Sequence, residues 1–126
     1  MIQIPAPNKT GDNKLDEFLR WIYNVLTLGF LYKQTRVAAD YTITKDDFYI
    51  GVTSTSAPRA LTLPSLASIP KESMYVIKDE SGGAGTNNIT VDGSGTETID
   101  GSLTKVINTN YGALRLMNSG SAWFSW

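Results

Sequence analysis

Apolar positions along the chain change period once. Between residues 13 and 28 they fall at Leu15, Phe18, Leu19, Ile22, Val25 and Leu26, followed by Gly29. Spacings of three and four line one face of an α-helix. Asp12 or Asn13 can cap its start, so one helix is predicted over about 13 to 28. A second stripe, Trp21, Val25, Leu28 and Tyr32, and the scarcity of charge after Arg20 leave its C-terminal half apolar on every side. A chain this short has little material to cover such a helix from one copy, and neighbouring chains are the expected cover.

From Val37 onward the pattern becomes short β-prone runs separated by Gly, Ser, Asn, Asp and Pro. Strands are predicted near 41 to 44, 48 to 53, 60 to 63, 74 to 78, 88 to 92, 96 to 100, 103 to 108, 113 to 117 and 121 to 125. Alternation is clearest in Ala60-Leu61-Thr62-Leu63, Asn88-Ile89-Thr90-Val91, Glu97-Thr98-Ile99-Asp100 and Ala113-Leu114-Arg115-Leu116, the signature of strands with one wet face. Asp92-Gly93 and Asp100-Gly101 stand between such runs, where left-handed turn conformations are expected. The spacing, without any βαβ unit, predicts a mainly β fold: a small antiparallel β-sandwich or jelly-roll-like domain. Ahead of it, Pro5 and Pro7 favour an extended N-terminal arm over residues 1 to 12. The expected organisation is an arm and oligomerisation or docking helix over 1–36 and an antiparallel β domain over 37–126.

Composition narrows the chemistry. The 126 residues suffice for one modest core. Without cysteine or histidine there are no disulfides, thiol nucleophiles, imidazole bases or Ser-His-Asp triads. Eleven basic residues against twelve acidic give a net charge of −1, so no general attraction to nucleic acid is expected. The apolar run Trp21 to Tyr32 is about half the roughly 20 residues that a membrane-spanning helix needs, and no membrane partner is expected. The start Met-Ile-Gln-Ile-Pro-Ala-Pro has no basic residue before Lys9 and does not read as a secretory signal.

Candidate sites weigh against catalysis. Ser81-Gly82-Gly83-Ala84-Gly85-Thr86 lacks the Gly-Lys-Ser/Thr that a phosphate loop requires. Asp79, Glu80, Asp92 and Asp100 are carboxylates that a glycoside hydrolase would need in pairs. Neighbours on a strand point to opposite faces, however, and Asp92 and Asp100 sit beside glycine in predicted turns. Asp92, Ser94 and Asp100 do not match a calcium loop. Neither a cofactor nor a metal is expected. Tyr41, Phe48, Tyr49, Tyr75, Tyr111, Trp123, Phe124 and Trp126 read first as core and second as a sugar platform. A terminal Trp126 frays unless something packs on it, and a sister subunit is the expected partner.

Several motifs together resemble a module recurring in bacteriophage virion proteins. They are Arg59-Ala60-Leu61-Thr62-Leu63-Pro64-Ser65, the run from Tyr75 to Ala84, Asn88 to Gly93, Thr98-Ile99-Asp100-Gly101, Asn110 to Leu116, and Trp123. The resemblance covers about residues 41 to 126. It implies a compact β domain of tail fibres, head fibres and capsid decoration proteins, generally trimeric and without catalytic residues. No repetitive shaft is visible, which favours a homotrimeric cement or decoration protein on the outer capsid surface, assembled in the bacterial host cytoplasm and bound to the major capsid protein. The alternative is a tail-fibre or head-fibre module contacting host surface glycans. The expected oligomer and docking interface is Leu15, Phe18, Leu19, Ile22, Val25, Leu26, Phe30 and Trp126.

Overall fold

The structure is a computed structural model that describes residues 13–27 and 33–126; the N-terminal arm expected over 1 to 12 and Phe30 lie outside them. The chain divides into two compact units, Met1–Lys33 and Gln34–Trp126. Within the first, the three-and-four spacing produces helix α1 over Asn13–Thr27, with Asp16 in its first turn, where the helix dipole favours negative charge. Among the described residues no helix is long and apolar enough to cross a membrane.

The second unit is mainly β. Its strands are β1 (Gln34–Val37), β2 (Tyr41–Thr42), β3 (Tyr49–Val52), β4 (Arg59–Thr62), β5 (Met74–Asp79), β6 (Ile89–Asp92), β7 (Thr104–Ile107), β8 (Ala113–Asn118) and β9 (Trp123–Ser125), with a short 3-10 turn over Leu66–Ser68. They form two mixed sheets, ordered β1-β3-β5-β8-β9 and β2-β4-β6-β7.

The expectation of uniformly antiparallel pairing is corrected here. From β1 to β6 the chain crosses to the other sheet after every strand, so alternate strands stack in parallel: β1 on β3 on β5, and β2 on β4 on β6. Only then does the direction reverse. β7 returns antiparallel along β6, β8 along β5, and β9 along β8. A parallel pair needs a crossover, and here a strand of the opposite sheet serves in place of a helix. The result is three coiled turns closed by an antiparallel cap.

Two further strand expectations differ. β1 was not anticipated: Gln34 and Arg36 face solvent, and the run offers only Thr35 and Val37 to the interior. The strand expected over 96 to 100 is absent, because left-handed backbone at Gly95, Asp100 and Gly101 breaks the run on both sides and leaves Ile99 with isolated bridges to Ser102 and Trp123. The Asp100-Gly101 turn is as the sequence predicts, with φ 50° and 84° and reciprocal Ile99–Ser102 backbone hydrogen bonds of 2.6 and 3.0 Å. At Asp92-Gly93 the requirement is space: a Cβ on Gly93 would strike the Glu97 carbonyl.

The alternating runs fill the core from both sheets. Ile50, Val52, Tyr75, Ile77, Leu114, Leu116 and Trp123 come from one, and Leu61, Ile89, Val91 and Ile107 from the other; all belong to one buried cluster. The Tyr75 and Trp123 rings meet at 5.7 Å and 49°, within the tilted geometry aromatic pairs prefer. Two inward positions at strand ends are polar. Asn118 on β8 donates to the Pro70 carbonyl at 3.1 Å and accepts from the Gly120 N–H at 2.7 Å; Asp79 on β5 is equally buried. Their burial is tolerable because each is hydrogen-bonded.

Candidate interaction surfaces

On α1, Leu15, Phe18, Leu19 and Trp21 are 45%, 56%, 37% and 63% exposed, and Ile22 is half-buried. Leu15, Phe18, Leu19 and Ile22 follow the expected stripe; Phe18 and Trp21 stack at 6.5 Å between ring centroids. Val25 and Leu26 belong to the same helix, with side chains outside the described set, as is all of Phe30. Among the described residues of α1, four apolar side chains are thus substantially exposed.

The β unit presents an apolar row. Strand register sets Met74 beside Met117 and Met117 beside Phe124, and directly opposed residues share a sheet face. All three point outward. One step along the same face, Arg115 on β8 stands against Trp126, donating from Nε to its carbonyl at 3.1 Å with the guanidinium 5.6 Å from the ring centroid. Met74, Met117, Phe124 and Trp126 are between 38% and 57% exposed. Within its own chain Trp126 thus has Arg115 as a partner and remains exposed.

The other half of this sheet face is polar. Arg36 on β1 donates from Nε to Glu80 at 3.1 Å, and the Tyr49 hydroxyl donates to the same carboxylate at 2.6 Å. Burial, and then the bond to Glu80, push the Tyr49 hydroxyl above its ordinary pKa of 10.0. Gly51 makes the cluster fit, since a Cβ there would come within 2.5 Å of the Glu80 carboxyl carbon. The apolar row is confined to β5, β8 and β9.

The four carboxylates considered for hydrolysis have separate duties. Asp79 is fully buried and accepts from the backbone N–H of Ser81, Gly82, Ala84 and Tyr111 at 3.0 to 3.1 Å, and from the Ser81 hydroxyl at 2.6 Å. Burial alone would raise its pKa, but these donors outweigh it and bring the group from 3.8 down to about 2. Asp100 is likewise lowered to about 2, first by its bond from Lys105 at 2.6 Å and then by the Ser125 hydroxyl and N–H. Glu80 is held by Arg36 and Tyr49, and Asp92 lies exposed on β6. Asp79, Glu80 and Asp100 are thus each held by donors of the fold itself.

No family model matches this chain, and the search of curated proteins returns no match either. Its surfaces therefore have to be read from their own chemistry.

The aromatic platform considered in the sequence separates into parts. Tyr75 and Trp123 are core. Tyr41 donates to Asp47 at 2.7 Å, Tyr49 serves Glu80, and Tyr111, Phe124 and Trp126 are exposed. Sequence reasoning missed Met74 and Met117. Each is an apolar residue in the solvent phase of a strand whose other phase is core, a signal present in the sequence, but only strand pairing brings the two together with Phe124.

Proposed function

We propose that this chain is a non-enzymatic structural module of a bacteriophage virion, acting as a homotrimeric cement or decoration protein on the outer capsid surface. The observation that carries the reading is the exposure of the apolar side chains Phe18, Leu19 and Trp21 along one helix. Contiguous apolar surface of this kind marks an interaction site. Covering the exposed half of each such side chain is worth about 1 kcal/mol, a sum that repeats in each copy around a threefold axis.

In this reading the helices of three chains cover one another. The row Met74, Met117, Phe124 and Trp126 meets the major capsid protein, and the two sheets pack as a sandwich that holds this row rigid. Simultaneous engagement of three copies then supplies avidity that one copy lacks. The motifs from Arg59 to Trp123 support a virion location, and the clamped Asp79 and Asp100 favour a structural role over hydrolysis. A tail-fibre or head-fibre module would share the trimer but not the abundance.

Sedimentation of the purified chain tests the first half: a trimer is expected, and a stable monomer across micromolar concentrations rejects it. Adding the protein to shells lacking it tests the second. Saturable binding at hundreds of copies per particle is expected; absence of binding, or a handful of copies, refutes the cement assignment.

A further inference from the structure

Both methionines among the described residues lie on one outward sheet face, and neither enters the core, which is built from Ile, Val, Leu, Ala, Tyr and Trp. Met74 on β5 is set directly against Met117 on β8, and Met117 against Phe124 on β9. The three are 42%, 38% and 49% exposed. Directly opposed side chains of an antiparallel pair have Cβ atoms about 4.5–5.5 Å apart, so the two thioethers are neighbours with a phenyl ring beside them. What lies behind fixes this phase. Tyr75 and Leu116, the adjoining residues of the two strands, pair with each other and are buried. A one-residue slip that hid the sulfurs would expel both, so the fold keeps the sulfurs outside.

The sulfur chemistry of the chain is confined to few atoms. There is no cysteine, and the only methionine besides these two is Met1. No thiol is present to intercept an oxidant first, and the thioether is a soft, polarisable group that takes up oxygen readily. Oxidation turns a flexible apolar side chain into a polar, chiral one. At a single site in a large surface that change is diluted; here two such sites adjoin in one row.

We propose that Met74 and Met117 form a paired oxidation site for peroxide-class oxidants, through which the apolar row of this sheet face becomes polar while the β unit stays folded. At each residue a sulfur lone pair attacks one oxygen of hydrogen peroxide. The S–O bond forms, the O–O bond breaks, and the other oxygen leaves as water, carrying both protons. Sulfur is oxidised by two electrons and the peroxide is reduced by two. The product is a pair of adjacent sulfoxide dipoles in a row whose remaining members are Phe124 and Trp126, with Tyr75 and Leu116 still packed behind. A weakened attachment to shells rests on the cement reading; the oxidation and the change of polarity do not. Because a partner seated on the row shields it, the site is open in copies that have yet to attach.

The test exposes the full chain to graded hydrogen peroxide, folded and in urea, and follows each methionine by peptide mass spectrometry. Met74 and Met117 should each gain one oxygen in the folded chain at rates within about tenfold of those in urea; slower uptake at either overturns the proposal. The oxidised chain should melt within about 2 °C of the parent and elute earlier from a phenyl column. The double variant Met74→Leu, Met117→Leu keeps an apolar row without sulfur, and peroxide should leave its elution unchanged. A larger melting loss, unaltered elution of the oxidised parent, or an equal shift in the leucine variant overturns the proposal. On shells lacking the protein, peroxide should weaken attachment of the parent about tenfold or more and spare the leucine variant; attachment indifferent to peroxide removes the link between the two. An unoxidised parent that binds no shell refutes the cement assignment, and the mass, melting and column readouts still decide the oxidation site.

Discussion

Asp79 and Tyr111, 32 residues apart in the chain, are joined by a 3.0 Å hydrogen bond from the Tyr111 N–H to a carboxylate with no solvent exposure. The same carboxylate gathers the N–H groups of Ser81, Gly82 and Ala84, so one buried charge fastens the connection after β5 to the connection before β8. The parallel coil and its antiparallel cap meet at this point.

Asp79→Ala should therefore be among the most destabilising single changes in the β unit. It leaves four backbone donors without their acceptor, and bonds to a charged group are worth about 1.5–3 kcal/mol each before relaxation and water entry. A loss of about 3–5 kcal/mol is expected in urea unfolding, with Asp79→Asn, which keeps one acceptor oxygen, losing less.

Acid should unfold the chain through the same group. A carboxylate whose folded pKa is depressed contributes stability that is fully present above its unfolded value and lost as pH falls through the folded one. For Asp79 the window runs from 3.8 down to about 2 and is worth about 2 kcal/mol. Asp100 shares the window but is solvent-exposed, so screening reduces its part. Urea midpoints should be flat from pH 7 to about pH 5 and fall steeply below pH 4, and Asp79→Asn should flatten that fall.

Alkali should act through Tyr41 and Tyr75. Both are pushed up to about 12, chiefly by burial, with Asp47 adding to it. Their neutral forms are favoured in the fold, so the stability they supply is present below pH 10 and lost between 10 and 12. A spectrophotometric titration should show these two phenols ionising last, together with loss of the near-ultraviolet dichroism of the Tyr75–Trp123 pair.

On the helix, Phe18→Asp is expected to dissociate the proposed trimer while leaving the β unit's melting temperature unchanged. Phe18 is exposed in the single chain, so charge there costs only when another chain covers it. Ile22→Asp, Leu26→Asp and Phe30→Asp should act in the same direction. Light scattering after size exclusion reads the outcome, and an intact trimer in all four removes the helix from the interface.

Met117→Lys probes the sheet face. The side chain points outward between Met74 and Phe124, so unfolding should change by no more than about 0.5 kcal/mol. The proposed attachment to shells should weaken about tenfold or more, the consequence of placing an ammonium in an apolar contact. Equal binding by the variant would move the contact elsewhere.

The strands themselves were largely legible. Leu61 and Leu63, Ile89 and Val91, and Leu114 and Leu116 announce their inward phase by alternation, and the structure buries all six. The helix was legible from Leu15 to Ile22 for the same local reason. β1 was not, because three of its four side chains are polar and its interior pair, Thr35 and Val37, is too weak a signal. Tyr111 was visible only as one aromatic among eight, since its left-handed backbone depends on Asp79 and Gly82 from another strand connection.

By itself the sequence determined what period-two and period-3.6 patterns encode: which segments extend, which coil, and which side of each is apolar. Only the tertiary structure decided which strands meet and in which direction. Residues 34, 49 and 76 stack in one sheet and 41, 61 and 91 in the other, so successive turns differ in length and no repeat betrays the coil. Pairing direction is a non-local choice between ladders of similar energy. It is settled by how well the whole core closes, and that closure gathers Met74, Met117 and Phe124 into a row and lifts Tyr111 into solvent.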